Sequence, residues 1–169
     1  ASADPQGPIM VRGVRVGAPI CEDAWFPDIA ETLEESGAEI LLVANGSPYE
    51  RGKIEIRHQL MVARAVETGL PVIYLNRTGG QDDQAFDGAS FAVQRSGALA
   101  LQLPMFDTML HHMDLTRGDD GWYVIQGPLA PIPAEQDRDY RAMVEATRDY
   151  ARKTGFKTAL LGLSGGVDS

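Results

Sequence analysis

Two groups of residues in this sequence have the types and spacing to do chemistry. The first centres on Cys21, the single cysteine, in the string Cys21-Glu22-Asp23-Ala24-Trp25-Phe26-Pro27. Residues 14–20 alternate as a strand does and end at Cys21, with a helix expected shortly after. A nucleophile on such a turn is exposed and framed by backbone N–H groups. Those groups can stabilise the oxyanion of an acyl intermediate, with the thiolate as the attacking form. A lone cysteine beside apolar residues is more often a small core hydrophobe, so position alone leaves both readings open. The second group is Ser164-Gly165-Gly166-Val167-Asp168-Ser169, after the apolar run 158–163. Adjacent glycines let the backbone turn sharply and approach a ligand closely. Successive N–H groups then converge on an anion, phosphate above all. Ser164 and Ser169 add hydroxyl donors, and Asp168 is the expected ligand for Mg²⁺ shared with phosphate oxygens. No Gly-Lys-Ser/Thr follows, so this is not a Walker A loop. The Gly-Gly pair alone would equally make an ordinary turn.

The elements that must position these groups are legible in outline. Asp28 with Glu31 has the spacing of a capping box, followed by a short helix that Gly37 stops. Residues 39–44 (EILLVA) and 71–76 (PVIYLN) read as strands buried on both faces. Between them, Ile56, Leu60 and Ala63 keep helical spacing up to Gly69 and Pro71. Thr78-Gly79-Gly80-Gln81-Asp82 reads as a glycine-rich loop. Shorter runs at 90–94, 98–103, 109–115 and 122–125 suggest hairpins. Residues 127–133, with three prolines, cannot form a regular element and read as a linker. Residues 136–154 form one expected helix, with Tyr140, Met143, Val144, Thr147 and Ala151 on its apolar face and a charged, solvated face opposite. Residues 158–163 read as a buried strand. The class is α/β with a mixed sheet, and a second α/β unit starts near residue 130.

Composition narrows the partners. The 169 residues carry a formal charge of −9, which repels nucleic-acid backbones and anionic membranes. No apolar run reaches the roughly 20 residues that span a bilayer. One cysteine permits no internal disulfide, and the N-terminus lacks the pattern of a secretory signal, so a cytoplasmic protein is expected. His111 and His112 are adjacent in an expected hairpin and point apart, which disfavours chelation of one metal. His58 sits on a helix near Arg57 and Arg64.

The strings also carry a resemblance. Cys21 to Pro27 resembles the nucleophile segment of the nitrilase superfamily, in its glutamine-amidase branch. Gly46-Ser47-Pro48-Tyr49 with Gly52-Lys53 and Arg57, Tyr74-Leu75-Asn76-Arg77, Gly79-Gly80-Gln81-Asp82 and Phe86-Asp87-Gly88 follow in the same order. The end of the chain resembles the SGGxDS signature of the ATP-pyrophosphatase family. Their pairing is similar to glutamine-dependent NAD+ synthetases. The resemblance implies the later half of a nitrilase-like α-β-β-α sandwich in residues 1–126, a linker at 127–133, and at 134–169 the first helix, strand and phosphate loop of a Rossmann-like ATP-pyrophosphatase domain. It implies Cys21 as nucleophile, Glu22 and Ser47 as glutamine-binding residues, and Ser164, Gly165, Gly166, Asp168 and Ser169 as the ATP site. Gly79, Gly80 and Gln81 are expected to shape a loop rather than touch substrate.

By the same resemblance the complete enzyme is a homo-oligomer that uses glutamine, ATP with Mg²⁺, and nicotinic acid adenine dinucleotide to make NAD+. The family's glutaminase triad adds a Glu and a Lys upstream of the cysteine. Upstream of Cys21 this sequence has neither, and Asp4 is its one carboxylate there. The expectation is therefore an internal fragment without activity or bound cofactor of its own. Two other readings stand beside it: an ATP-independent nitrilase-type amidase or carbamoylase, and an inactive fragment acting as an interaction module.

Overall fold

A computed structural model describes residues 7–167. Strands β1 (Ile9–Val11), β2 (Val14–Gly17), β3 (Ile40–Asn45), β4 (Val72–Asn76), β7 (Phe91–Val93) and β8 (Leu99–Gln102) form one sheet in the order β1-β2-β3-β4-β7-β8. β2, β3 and β4 are parallel, and β1, β7 and β8 pair antiparallel. Helices α1 (Pro27–Glu35) and α2 (Lys53–Thr68) are the two crossovers between the parallel strands, as parallel pairing demands. α2 ends at Gly69 in the left-handed conformation, φ +65°, the usual exit from a helix.

The core lies between this sheet and the two helices. Leu41, Val43, Val72, Tyr74, Phe91 and Val93 point toward Ala30, Leu33, Met61 and Ala65. Register sets the opposite face: Leu42 lies beside Ile73 and Ala44 beside Leu75, and Leu42 and Leu75 are exposed. The expectation of strands buried on both faces is corrected for β3 and β4. Among the described residues, helices cover one side only. Toward β8 the second face is covered, where Ala92, Ala100 and Leu101 pack on Val124 of the hairpin β9 (Leu115–Gly118) and β10 (Gly121–Val124).

Several local expectations change. α1 starts at Pro27 with Phe26 as its N-cap and no side-chain cap, so the Asp28–Glu31 capping box does not form. Proline suits the first helical position because its φ is preset and its missing N–H would be unpaired there anyway. Asp28 instead meets the positive end of the helix dipole from the first turn. The expected loop at 78–82 is strand β5 (Thr78–Gln81), paired with β6 (Gln84–Asp87). Residues 107–114, including His111 and His112, are irregular rather than strand. The proline-rich segment forms no regular element, yet it lies along β8: Gly127 N–H donates to Ala100 O at 2.9 Å, and Leu129 bridges to Gln102. Residues 158–163 are irregular and exposed, not a buried strand. A strand needs a neighbour for its N–H and C=O groups, and the described chain brings none to them.

The largest reversal concerns α3 (Glu135–Lys153). Its buried residues are Arg138, Ala142 and Glu145, while Tyr140 and Met143 are 64% and 62% exposed. The charged face docks and the apolar stripe faces out. The physical reason lies in the receiving surface. The β5–β6 hairpin presents bare backbone at Gly79 and Gly80, and polar side chains are what can bond to it. Gly80 N–H donates to Asp149 Oδ2 at 2.9 Å, and Lys153 donates to Gly80 O. A Cβ at Gly80 would lie 3.0 Å from Ala146 Cα and 3.1 Å from Asp149 Cβ. Gly80→Ala is therefore expected to loosen α3 at a cost of about 1–3 kcal/mol. Amide hydrogen exchange along residues 135–153 reads this directly, and unchanged protection would contradict it.

Candidate functional site

Cys21 follows β2 and opens a 3-10 turn, Cys21–Trp25. Just before it, Ile20 bridges Ala44 of β3 in parallel. Its backbone is left-handed, φ +53°, a conformation that L residues other than glycine seldom adopt and that recurs at functional sites. Asp23 holds the turn closed from both sides. Its carboxylate accepts from Ile20 N–H at 3.1 Å, and its own N–H donates to Ile20 O at 3.1 Å. The Cys21 thiol is half-buried and free. Glu22, beside it, is exposed. The far end of the turn is tied to α2, where Arg64 donates to Trp25 O at 3.0 Å and Lys53 Nζ lies 5.4 Å from the Trp25 ring centre.

Ser47 lies just past β3, and Asn76 ends β4. The three positions therefore occupy the carboxyl ends of adjacent parallel strands, where open α/β sheets place their ligands. Ser47 is buried in a polar network. Its N–H donates to Asn76 Oδ1 at 2.9 Å, its carbonyl accepts from Asn76 Nδ2 at 3.1 Å and Arg57 Nη2 at 2.9 Å, and its Oγ accepts from Arg57 Nε at 3.1 Å. Arg57 also donates to both oxygens of Asp87, at 2.8 and 2.9 Å, and both side chains are 1% exposed. Burial pushes the Asp87 carboxyl above its usual range, opposed by the Arg57 charge and hydrogen bonds.

Tyr74 completes the floor. It is buried and stacked on Phe91 with ring centres 4.8 Å apart. Burial raises its phenol above the ordinary value, Arg57 and Ser47 lower it, and Cys21 and Asp87 act in the raising direction. Tyr74 is thus within electrostatic reach of the thiol and of the Ser47–Arg57–Asp87 network alike. A half-buried thiol on a fixed turn, at the same end of the sheet as this polar network, has the placement of a nucleophile for an acyl carbon.

The structure brings Cys21, Glu22 and Ser47 to one end of the sheet. It does not bring the terminal string to them. Ser164, Gly165 and Gly166 lie on an exposed, irregular segment, with Gly166 N–H donating to Ser164 Oγ at 3.3 Å. Asp168 and Ser169 lie outside the described residues. Among the described residues no three His, Cys, Asp or Glu side chains cluster to hold a metal. His58 bonds to Gln102 Oε1 at 2.9 Å and sits edge-on to Phe91. Burial lowers its pKa, opposed by the Gln102 bond, and the half-buried ring packs beside the core.

Sequence reasoning named Arg57, Asn76 and Asp87 only as members of quoted segments and gave them no role. The available signal was a polar residue at the end of a strand for Asn76 and Asp87, and for Arg57 a cation inside an otherwise apolar-patterned helix. Asp23 had no signal beyond its place in the cysteine string.

The carbon-nitrogen hydrolase family matches residues 3–119. The glutamine-dependent NAD(+) synthetase of Rhodobacter capsulatus is 51% identical over 162 residues, 96% of this chain and 29% of that protein. Its counterpart from Xylella fastidiosa (strain Temecula1) is 40% identical, over 98% of this chain and 31% of its own length. Among solved structures, the glutamine-dependent NAD+ synthetase of Acinetobacter baumannii in complex with ADP superposes with a TM-score of 0.86 and 37% identity, over 95% of this chain and 30% of that one. An amidase from Nesterenkonia sp. AN1, with the acetamide moiety of fluoroacetamide added at its active-site cysteine, superposes with a TM-score of 0.55 and 26% identity over 61% of this chain. The chain thus spans about three tenths of the length of these synthetases. With the family match running over more than half of its residues, and with its cysteine on a fixed turn at the end of a parallel strand, the chain belongs to the carbon-nitrogen hydrolase family.

Proposed function

We propose that this chain is the glutamine-hydrolysing part of a glutamine-dependent NAD+ synthetase, with residues 134–169 opening its ATP-binding domain after a linker at 127–133. The observation that carries the reading is the left-handed Cys21, braced by Asp23 at the sheet end that also holds the buried Ser47–Arg57 network. The Cys21 thiolate attacks the side-chain amide carbon of glutamine, and the carbonyl π electrons move to oxygen. Collapse of the tetrahedral intermediate breaks the C–N bond. Ammonia leaves carrying the proton first taken from the thiol, and a glutamyl thioester remains. Water then hydrolyses the thioester to glutamate and restores the thiol. Ser47 and Glu22 bind the glutamine. The general base and the oxyanion lysine belong to the part of the protein upstream of Cys21.

Ammonia then attacks adenylated nicotinic acid adenine dinucleotide, releasing NAD+ and AMP, after pyrophosphate has left ATP. Two features support residues 134–169 as the start of that second domain: the outward apolar stripe of α3, and the exposed Leu160, Leu161 and Leu163. Both are surfaces that a further layer of structure would cover. The backbone N–H groups of Gly165 and Gly166 and the hydroxyls of Ser164 and Ser169 suit the triphosphate of ATP. For Mg²⁺ the string offers one carboxylate, Asp168, which matches a metal held mainly by phosphate and water. When bound it neutralises phosphate charge, and no step above depends on its placement. The complete enzyme is read as a cytoplasmic homo-oligomer. Among the described residues no helix is long and apolar enough to cross a membrane.

A second reading, an amidase without ATP, draws on the similarity to the Nesterenkonia enzyme. Supplying the protein that carries this chain with glutamine, ATP and nicotinic acid adenine dinucleotide decides between them. NAD+ is the expected product. Amide hydrolysis with no NAD+ at any ATP concentration would establish the amidase instead. The 169 residues alone are expected to show no glutaminase turnover, since the base and lysine lie outside them. Measurable ammonia release by the isolated chain would refute that.

A further inference from the structure

The loop after β3 is held from two sides. Ser47 is fixed from within by Arg57 and Asn76. Two and four residues later, Tyr49 and Arg51 are fixed from outside by one carboxylate on α3. Tyr49 Oη donates to Asp139 Oδ1 at 2.8 Å. Arg51 donates from Nε to both Asp139 oxygens, at 3.2 and 3.1 Å, and from Nη2 to Oδ2 at 2.6 Å. Both Asp139 oxygens are therefore in use, in the forked geometry that makes Arg–carboxylate pairs strong and directional. The other charged groups at this contact are Glu135, 3.6 Å from Arg51, and Arg138, 3.6 Å from Glu55. Only Pro48 separates Ser47 from Tyr49, and its ring fixes φ. Tyr49 N–H also donates to Ala85 O at 2.7 Å, so the clamp acts on a loop that β6 holds as well, and a shift at Tyr49 reaches Ser47 through one residue.

We infer that Asp139 is a positioning residue for the glutamine site: through Tyr49 and Arg51 it seats the loop that presents Ser47, so the helix leading to the phosphate-binding string also sets the amide-binding end of the sheet. The inference rests on the proposed role of Cys21 and Ser47. The contact is built to persist. Hydrogen bonds from Arg51 and Tyr49 hold the Asp139 carboxyl below its usual range. Burial and the Asp139 bond push the Tyr49 phenol up to about 12. Asp139 is thus ionised, and Tyr49 protonated, across the neutral range. Simple attachment of α3 does not need this clamp, because Asp149 and Lys153 already fasten the helix to Gly80.

The test uses the full-length protein and separates KM from kcat. Asp139→Ala is expected to raise the KM for glutamine about ten-fold while kcat, and NAD+ formation from ammonia, stay within about two-fold. Asp139→Glu, which restores the charge, should bring the KM back to within about three-fold of the parent. Asp137→Ala removes a more exposed charge from the same helix, one paired with Arg141, and should leave the KM unchanged. A structural role alone would lower kcat for glutamine and ammonia together and leave the KM for glutamine where it was. That result, or an unchanged KM in Asp139→Ala, overturns the inference. Cys21→Ala run in parallel keeps the two claims apart. If it retains glutamine-driven synthesis, the proposed function fails, whatever Asp139 does.

Discussion

Replacing Cys21 by alanine in the full-length protein is expected to lower NAD+ formation from glutamine by at least about 10³-fold, while formation from ammonium stays within about two-fold. The asymmetry follows from the chemistry. Without the thiol no glutamyl thioester forms, so no ammonia is released at the carboxyl end of β2. Ammonia from solution does not need that step. Alanine also relaxes little of the local structure, because the turn is held by Asp23 and the Ile20 backbone rather than by the sulfur. Rates with each nitrogen donor, measured at saturating ATP, give the comparison. Equal loss with both donors would mean that Cys21 supports the fold or the second site. No loss with either would remove it from the reaction.

Asp87→Ala is expected to cost about 3–5 kcal/mol of folding stability, the largest structural effect of any single change proposed for this chain. Arg57 would be left buried with no countercharge, and it also holds Ser47 Oγ and the carbonyls of Ser47 and Pro48. The damage therefore reaches the site as well as the core. Equilibrium urea unfolding measures the stability loss. The double change Asp87→Leu with Arg57→Met should recover much of it, because a buried ion pair is often replaceable by apolar residues of similar volume once neither charge is stranded. The double variant would still lack the donors that seat Ser47, so its glutaminase activity should stay low even where its stability returns. A single variant as stable as the parent would mean that the pair is hydrated in solution.

The reversal of α3 shows where reading along the chain reached its limit. Tyr140, Met143, Val144, Thr147 and Ala151 do share a face, and the periodicity was legible. Periodicity says which residues lie together but not which neighbour the helix meets. The neighbour is the bare backbone of Gly79 and Gly80, so Asp149 and Lys153 face inward and Tyr140 and Met143 face out. The same limit applies to β3 and β4. An apolar run marks a strand, but burial on the second face depends on a layer that the described residues do not contain.

The site divides in the same way. Cys21 stood out because the string Cys21 to Pro27 resembles the nucleophile segment of the nitrilase superfamily, whereas its position alone left a core role open. The parallel crossovers were legible because helical spacing between two apolar runs leaves few topologies. The partnership of Arg57 with Asp87, of Asn76 with Ser47 and of Asp139 with Tyr49 was not, because each joins residues 29 to 90 positions apart. By itself the sequence determined an α/β fold with its single cysteine at the end of a strand, and the resemblance implied a nucleophile there. The left-handed backbone at that cysteine, and the buried charges behind the serine, were decided only when the parallel strands brought their carboxyl ends together. Hydrogen bonds and ion pairs depend on distance through space, and only packing sets that distance.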